Sequence, residues 1–265
     1  MSDICAENWM DLHKVLYDLP PNEDTHRRYR SNYVYRGMAD SSWGLETSLY
    51  RMGSAFESVE GPLLRSFKKY AETGSIPGES LWIRLSVAQH HGLPTRLLDW
   101  TLAPKVALHF ATAEENFYDK DAAIWRINIL EVKKLLPDKL KEVLDNSCAD
   151  LFSVEMLEDN IRTLNKLDTW RPDEPFILFF EPPSLDARII NQGAILSVMS
   201  DAKLILSEFL KEHSTLYDRI IIPKELKWEI RDKLDQDNVT ERMLFPGLDG
   251  LSRWLKRYYG PGPNA

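Results

Sequence analysis

The sequence predicts an α+β fold, in which a mixed, mainly antiparallel sheet is flanked by helices. Three observations lead there. Short β-branched and aromatic runs, bounded by turn residues, recur at uneven intervals. Amphipathic stretches of helical period lie between them, without the regular strand–helix alternation of a doubly wound sheet. No repeat, low-complexity tract or long linker divides the 265 residues, so a single domain is expected over 1–265. Within it the reading separates an N-terminal helical extension (1–30), a core (31–200) and a C-terminal strand with helices (201–260).

Taken in order, Trp9, Leu12, Val15 and Leu16 fall on one side of a short helix that Pro20-Pro21 stops. Tyr33 to Gly37 reads as a strand, and Ser41 to Gly44 as a turn. Pro62 is placed at the start of a helix running to Ala71, with Leu63, Leu64, Phe67 and Tyr70 at helical spacing. Gly74 to Gly78 breaks it. Ser80 to His91 resumes the helical period with Leu81, Leu85 and Ala88 on one side, and Gly92-Leu93-Pro94 ends it. The next helix is expected from Thr101 to about Asn116, with Val106, Ala107, Phe110 and Ala111 facing inward. Further strands are predicted at Ala123–Ile129, Phe176–Phe180, Ala194–Val198 and Arg219–Ile222. Further helices are predicted at Glu131–Leu144, Ala202–Leu210, Lys224–Leu234 and Leu248–Tyr258, with a frayed tail from Gly260 to Ala265.

Composition narrows the function classes. Acidic residues outnumber basic ones 41 to 33, for a net charge of −8, which disfavours a protein that wraps nucleic acid by its overall field. A local basic pocket for a small phosphate-bearing ligand remains compatible with that balance. Cys5 and Cys148 are far apart and lack CxxC partners, so neither a disulfide framework nor a thiolate zinc site is expected, and a reducing compartment fits. The first residues lack a signal pattern, and apolar runs such as Phe176–Phe180 are too short to span a bilayer. The expectation is a soluble, cytoplasmic protein with no membrane partner.

Three places concentrate side chains able to do chemistry. Arg36 ends an otherwise apolar strand, where its fork of donors suits a phosphate or a ribose hydroxyl, or neutralises a carboxylate such as Asp99. The run from Gln89 to Thr101 packs polar, aromatic and turn-forming residues between two predicted helices. In it, His90 and His91 are adjacent and so point apart, which is no metal-binding pair. One is read as a hydrogen-bonding residue and the other as a ligand contact. Asp99 is read as a helix cap or as the partner of Arg36 or Arg96. The third place is the polar turn from Arg188 to Gly193, where Gln192 either points into a cleft or bonds the backbone. No GxGxxG, GxxxxGK[ST], HExxH or GxSxG pattern occurs, and no paired-carboxylate spacing supports a metal-dependent hydrolase.

Tyr35-Arg36-Gly37, the block Gln89 to Thr101, the segment Pro104 to Ala111 and Gln192-Gly193-Ala194-Ile195 together resemble the FRG domain family, over roughly Tyr33 to Val198. The closing block Glu241 to Leu251 is similar to the way such chains end. A second resemblance is to arginine-type ADP-ribosyltransferases. There a strand ending in Arg-Gly meets NAD, a Ser/Thr-containing segment leads into a Val-Ala-x-x-Phe-Ala helix, and a later strand supplies a glutamate. Tyr35-Arg36-Gly37 and Trp100-Thr101 followed by Val106 to Ala111 fit the first two places, and Gln192 stands at the third.

This second resemblance implies a transferase-like fold with NAD as substrate, no metal, and a protein or nucleic-acid acceptor. In that scheme Arg36 clamps a phosphate or the nicotinamide ribose, Thr101 bonds the ribose, and Gln192 orients the reacting sugar. Tyr35, Gly37, Gln89, His90, His91, Arg96, Asp99 and Trp100 would complete the binding wall, with Trp100 or His91 stacking on a ring. The setting implied is a toxin or antiphage effector. The alternative, of a different class, is a catalytically silent recognition module using the same cleft. A glutamine in the glutamate's place keeps a hydrogen bond and loses a charge, a change of about 3 kcal/mol in transition-state stabilisation. Then either Asp99, Glu181 or Asp186 supplies that charge, or the protein is slow, or it binds without reacting.

Overall fold

The computed structural model describes residues 3–19, 28–53 and 56–262. Its strands are β1 (Ile4–Cys5), β2 (Tyr33–Met38), β3 (Leu97–Thr101), β4 (Ala122–Asn128), β5 (Ile177–Phe180), β6 (Ala194–Met199) and β7 (Tyr217–Ile222). They form one seven-stranded sheet in the order β1-β7-β4-β2-β3-β6-β5. The β1–β7 edge is parallel and every other neighbouring pair is antiparallel. The mixed, mainly antiparallel α+β class is therefore as the sequence predicts.

The helices are α1 (Trp9–Tyr17), α2 (Phe56–Tyr70), α3 (Leu81–His90), α4 (Pro104–Thr112), α5 (Ile129–Leu135), α6 (Asp138–Asn146), α7 (Val154–Asn160), α8 (Leu164–Asp168), α9 (Ala187–Asn191), α10 (Leu206–Glu212), α11 (Lys227–Gln236), α12 (Glu241–Leu244) and α13 (Leu248–Tyr258). Alternation along the strands divides the core. Tyr35, Ile124 and Ile220 pack with Ala107 of α4, Leu12 of α1 and Ile230 of α11. Val34, Trp100, Trp125 and Phe179 pack on the other face, under Phe209 of α10. A third cluster joins α3, α6 and α7 to β5 through Trp82, Leu140, Leu157 and Phe180.

Several elements differ from expectation, each for a physical reason. The run from Gln89 to Thr101, expected as a polar segment between two helices, contains β3. β3 is a sheet strand because Arg96 is neutralised by Glu60 and Asp168, while Asp99 alone faces out between buried neighbours. Pro62 lies inside α2 rather than at its start. Buried Phe56, 5.5 Å from the Tyr50 ring, and the Glu60–Arg96 ion pair anchor the turns before it. The single helix expected over Glu131–Leu144 is two, α5 and α6. Leu136, which precedes Pro137, is driven to an extended ψ of 151°. α10 begins later than expected, and a 3-10 turn at Lys224–Leu226 leads into α11.

The Pro20-Pro21 stop and the end of the tail lie outside the described residues. Cys5 and Cys148 are both free and exposed. Among the described residues no helix is long and apolar enough to cross a membrane.

Candidate functional site

The site begins with a gap in the sheet. β2 follows β4 along its whole length, from Tyr33↔Asn128 to Met38↔Ala123, but meets β3 at one residue pair, Tyr35↔Thr101. Beyond that pair the two strands part, and a cavity of about 710 Å³ opens between them. Arg36 and Met38 line it from β2, and Asp99 from β3. The turn after β2 contributes Trp43 and Glu46, α4 and the residues just after it contribute Phe110 and Glu114, and α9 with its C-terminal cap contributes Arg188 and Gln192.

Gly37 explains why the helix after β3 sits where it does. A Cβ at this position would come within 1.9 Å of the Ala107 carbonyl oxygen and 2.6 Å of the Ala111 nitrogen, so only glycine lets α4 lie on β2. The Val-Ala-x-x-Phe-Ala pattern of α4 is the other half of that contact. Val106, Ala107 and Ala111 are buried as expected, whereas Phe110 turns to the cavity.

Arg36 reaches across the gap, and its Nη1 donates to the main-chain oxygen of Asp99 at 2.6 Å. Its Nε is buried without a partner among the described residues. Burial lowers the guanidinium's proton affinity, the Asp99 charge opposes that, and the nearby Arg51 charge adds to it. The Asp99 carboxylate accepts instead from Gln89 Nε2 at 2.6 Å, and the Thr95 hydroxyl holds that glutamine's other end. Asp99 therefore belongs to a relay that fixes its orientation, and does not form an ion pair with Arg36 or Arg96.

The remaining predicted residues separate into two groups. Tyr35 lines the cavity but is fully buried, its hydroxyl 2.8 Å from that of Ser31. Thr101 donates to the main-chain oxygen of Gln192 at 2.6 Å and accepts from the Ala103 N–H at 3.0 Å, so its hydroxyl ties β3 to the turn before β6. Gln192 donates its amide to the Leu244 oxygen at 2.9 Å, beside a matching bond from Asn191 to the Met243 oxygen at 2.7 Å. Thr101 and Gln192 thus border the cavity while their side chains hold main-chain oxygens.

The Trp100 ring is buried among the core side chains, edge-on to Phe179, with Nε1 donating to Ser197 at 2.8 Å. Trp100 nevertheless lines the cavity, with 3% of its surface exposed. Arg96, Gln89, His90 and His91 are not among the residues lining the cavity. Arg96 is buried between Glu60 and Asp168, His90 Nε2 lies 2.8 Å from Asp186, and His91 is exposed at the end of α3. No group of three or more potential metal-ligating side chains occurs among the described residues.

Trp43, Glu46, Arg51 and Glu114 line the cavity without having been singled out in the sequence, and Arg188, which opens the third polar segment, lines it too. Trp43 carried the one legible signal, a large aromatic inside a turn. It is 42% exposed and lies edge-on to Phe117 at 4.8 Å. Arg188 Nε, like that of Arg36, is buried and unpartnered among the described residues.

Residues 31–120 match the family model of the FRG domain, and the chain therefore carries an FRG domain. The matched stretch holds β2, α2, α3, β3 and α4, hence most of the cavity wall, while Arg188, Gln192 and Ala194 complete the cavity from outside it. No curated protein and no solved structure matches the chain.

Proposed function

We propose that the cavity of this FRG-domain protein binds a nucleotide of the NAD class, and that the chain cleaves its nicotinamide–ribose bond or transfers its ADP-ribose. The observation that carries the reading is Arg36, a half-buried side chain standing where two central strands part, with a buried Nε that no described residue satisfies. A buried donor left unpaired costs about 1–3 kcal/mol, more when charged, and an anionic ligand entering the gap removes that cost.

The rest of the wall suits such a ligand. The cavity lies within the usual range for small-molecule sites. It is bipolar, with Arg36, Arg51 and Arg188 available to phosphates and Glu46, Asp99 and Glu114 available to sugar hydroxyls or a cationic ring. Trp43 and Phe110 join Trp100 as aromatic side chains on the cavity wall, suited to stacking. Cleavage of the glycosidic bond develops positive charge on the ribose, and a carboxylate of the cavity supplies the countercharge that Gln192 lacks. A protein or nucleic-acid acceptor and an effector role in toxicity or antiphage defence are the setting the family resemblance suggests.

The test is incubation of the purified protein with NAD, with and without cell lysate as a source of acceptor, followed by measurement of released nicotinamide. Release above an Arg36→Met control supports the reading, and its absence under both conditions refutes cleavage. One observation favours a second reading, a recognition module without turnover: the Thr101 hydroxyl and the Gln192 amide are both engaged with main-chain oxygens. Saturable nucleotide binding with no nicotinamide release would decide for it.

A further inference from the structure

We propose that Arg36 and Arg51 together form a subsite for two adjacent phosphates, so that the cavity selects nucleoside diphosphate esters over monophosphates and nucleosides. The inference rests on the nucleotide-site reading above and goes further in naming the ligand class and a residue, Arg51, that no sequence motif marks.

Arg51 closes a 3-10 turn at Tyr50–Met52, and its Nη1 donates to the Glu46 main-chain oxygen at 2.9 Å. Arg36 donates to the main-chain oxygen of Asp99. In both cases a neutral carbonyl orients the guanidinium and leaves its charge uncompensated. Among the described residues, neither makes an ion pair with a carboxylate, whereas the buried guanidiniums of Arg96, Arg231 and Arg257 each do. The nearest countercharge to Arg36 is Asp99, and that carboxylate is bonded to Gln89. Two like charges thus line one cavity, with the Arg36 Nε still unfilled. A planar guanidinium takes a phosphate through two parallel donors, and a pair of them matches two phosphates joined by a bridging oxygen.

The supports of the two arginines are connected. The N–H of Leu49, beside the 3-10 turn, donates to the Thr95 oxygen at 3.1 Å, and Ser48 and Thr95 bond each other. Thr95 in turn holds Gln89, Gln89 holds Asp99, and the Asp99 carbonyl holds Arg36. This path fixes the Asp99 carbonyl that holds Arg36 and reaches the segment beside the Arg51 turn, while the exposed Arg51 guanidinium is oriented by the Glu46 oxygen.

The experiment titrates the full chain with ADP-ribose, ADP, AMP and adenosine by calorimetry, for the natural protein and for Arg51→Met, with thermal midpoints recorded for both. The expected result is that the natural protein binds ADP and ADP-ribose at least about tenfold more tightly than AMP. Arg51→Met should erase most of that preference at an unchanged midpoint. Arg51→Lys, which keeps the charge without the fork, should restore only part of it. Equal affinity for AMP and ADP in the natural protein, or a preference untouched in Arg51→Met, overturns the subsite and leaves the nucleotide reading standing. Binding of none of the four overturns both. A diphosphate preference without nicotinamide release upholds the subsite and refutes only the cleavage.

Discussion

Gly37 of β2 lies directly beneath the carbonyl oxygen of Ala107 in α4, so close that a methyl group on Gly37 would stand 1.9 Å from it. The obstructing atoms, this oxygen and the Ala111 nitrogen, belong to a helix backbone and cannot rotate aside. Gly37→Ala therefore has to push α4 off the strand that carries Arg36. Overpacking of a rigid contact commonly costs about 1–3 kcal/mol, and this substitution is expected at or above the top of that range. Urea denaturation of the variant checks it, and a midpoint within error of the natural protein would show that α4 does not rest on β2 at this point.

That contact also marks how far the sequence can be read. Tyr33 to Gly37 declared a strand through aromatic and β-branched side chains, and α4 declared itself through its buried small residues. β3 did not, because Arg96 and Asp99 look like loop residues until Glu60 and Asp168 are known to neutralise the arginine. Those partners lie 36 and 72 residues away in the chain, beyond the reach of any local pattern. The same holds for the site. Arg36 was legible from its place on the strand, whereas Arg51 and Arg188 gain their meaning from the parting of β2 and β3, and a register break has no sequence signature. Trp100 lines the cavity while alternation along β3 packs its ring among core side chains, a double placement that no local pattern shows.

Arg36→Lys should lower affinity for ADP-ribose by about tenfold or more while leaving the fold nearly unchanged, because lysine keeps the charge but cannot both hold the Asp99 oxygen and present a fork. Calorimetry together with a thermal melt separates the two effects. A variant that binds as before but melts several degrees earlier would make Arg36 a structural strut.

Gln192→Glu tests the place where the chain departs from the transferase pattern. The Gln192 amide donates to the Leu244 oxygen, so a carboxylate there would set two acceptors against each other and loosen α12 from the turn before β6. A loss of about 1–3 kcal/mol is expected, with Gln192→Ala losing a similar amount. Paired measurements of nicotinamide release and unfolding midpoint apply. A glutamate variant of undiminished stability with raised turnover would instead place this side chain at the scissile bond.

The last expectation concerns acid. His109 of α4 is fully buried, and its Nδ1 lies 2.9 Å from Arg231 Nη1. Since a guanidinium only donates, that ring nitrogen accepts. Burial first, and the Arg231 charge second, hold the imidazole down to about 3 from its ordinary 6.5. Glu241, bonded by Arg231 and Arg257, is held at about 2 against an ordinary 4.5. Burial alone would raise it, but the Arg257 hydrogen bonds and the Arg231 charge prevail. Both folded-state values lie below the unfolded ones, so both groups contribute fully at neutral pH and lose their contribution as pH falls. His109 does so between 6.5 and about 3, and Glu241 between 4.5 and about 2. Between pH 6.5 and 4.5 the histidine acts alone of the two, at a slope approaching about 1.4 kcal/mol per pH unit. His109→Gln retains an acceptor for Arg231 and removes the titrating group. Urea midpoints should fall across that interval in the natural protein and stay nearly level in the variant, with both falling below pH 4.5 as Glu241 gives way. Parallel slopes across pH 6.5–4.5 would move the origin of the acid sensitivity away from His109.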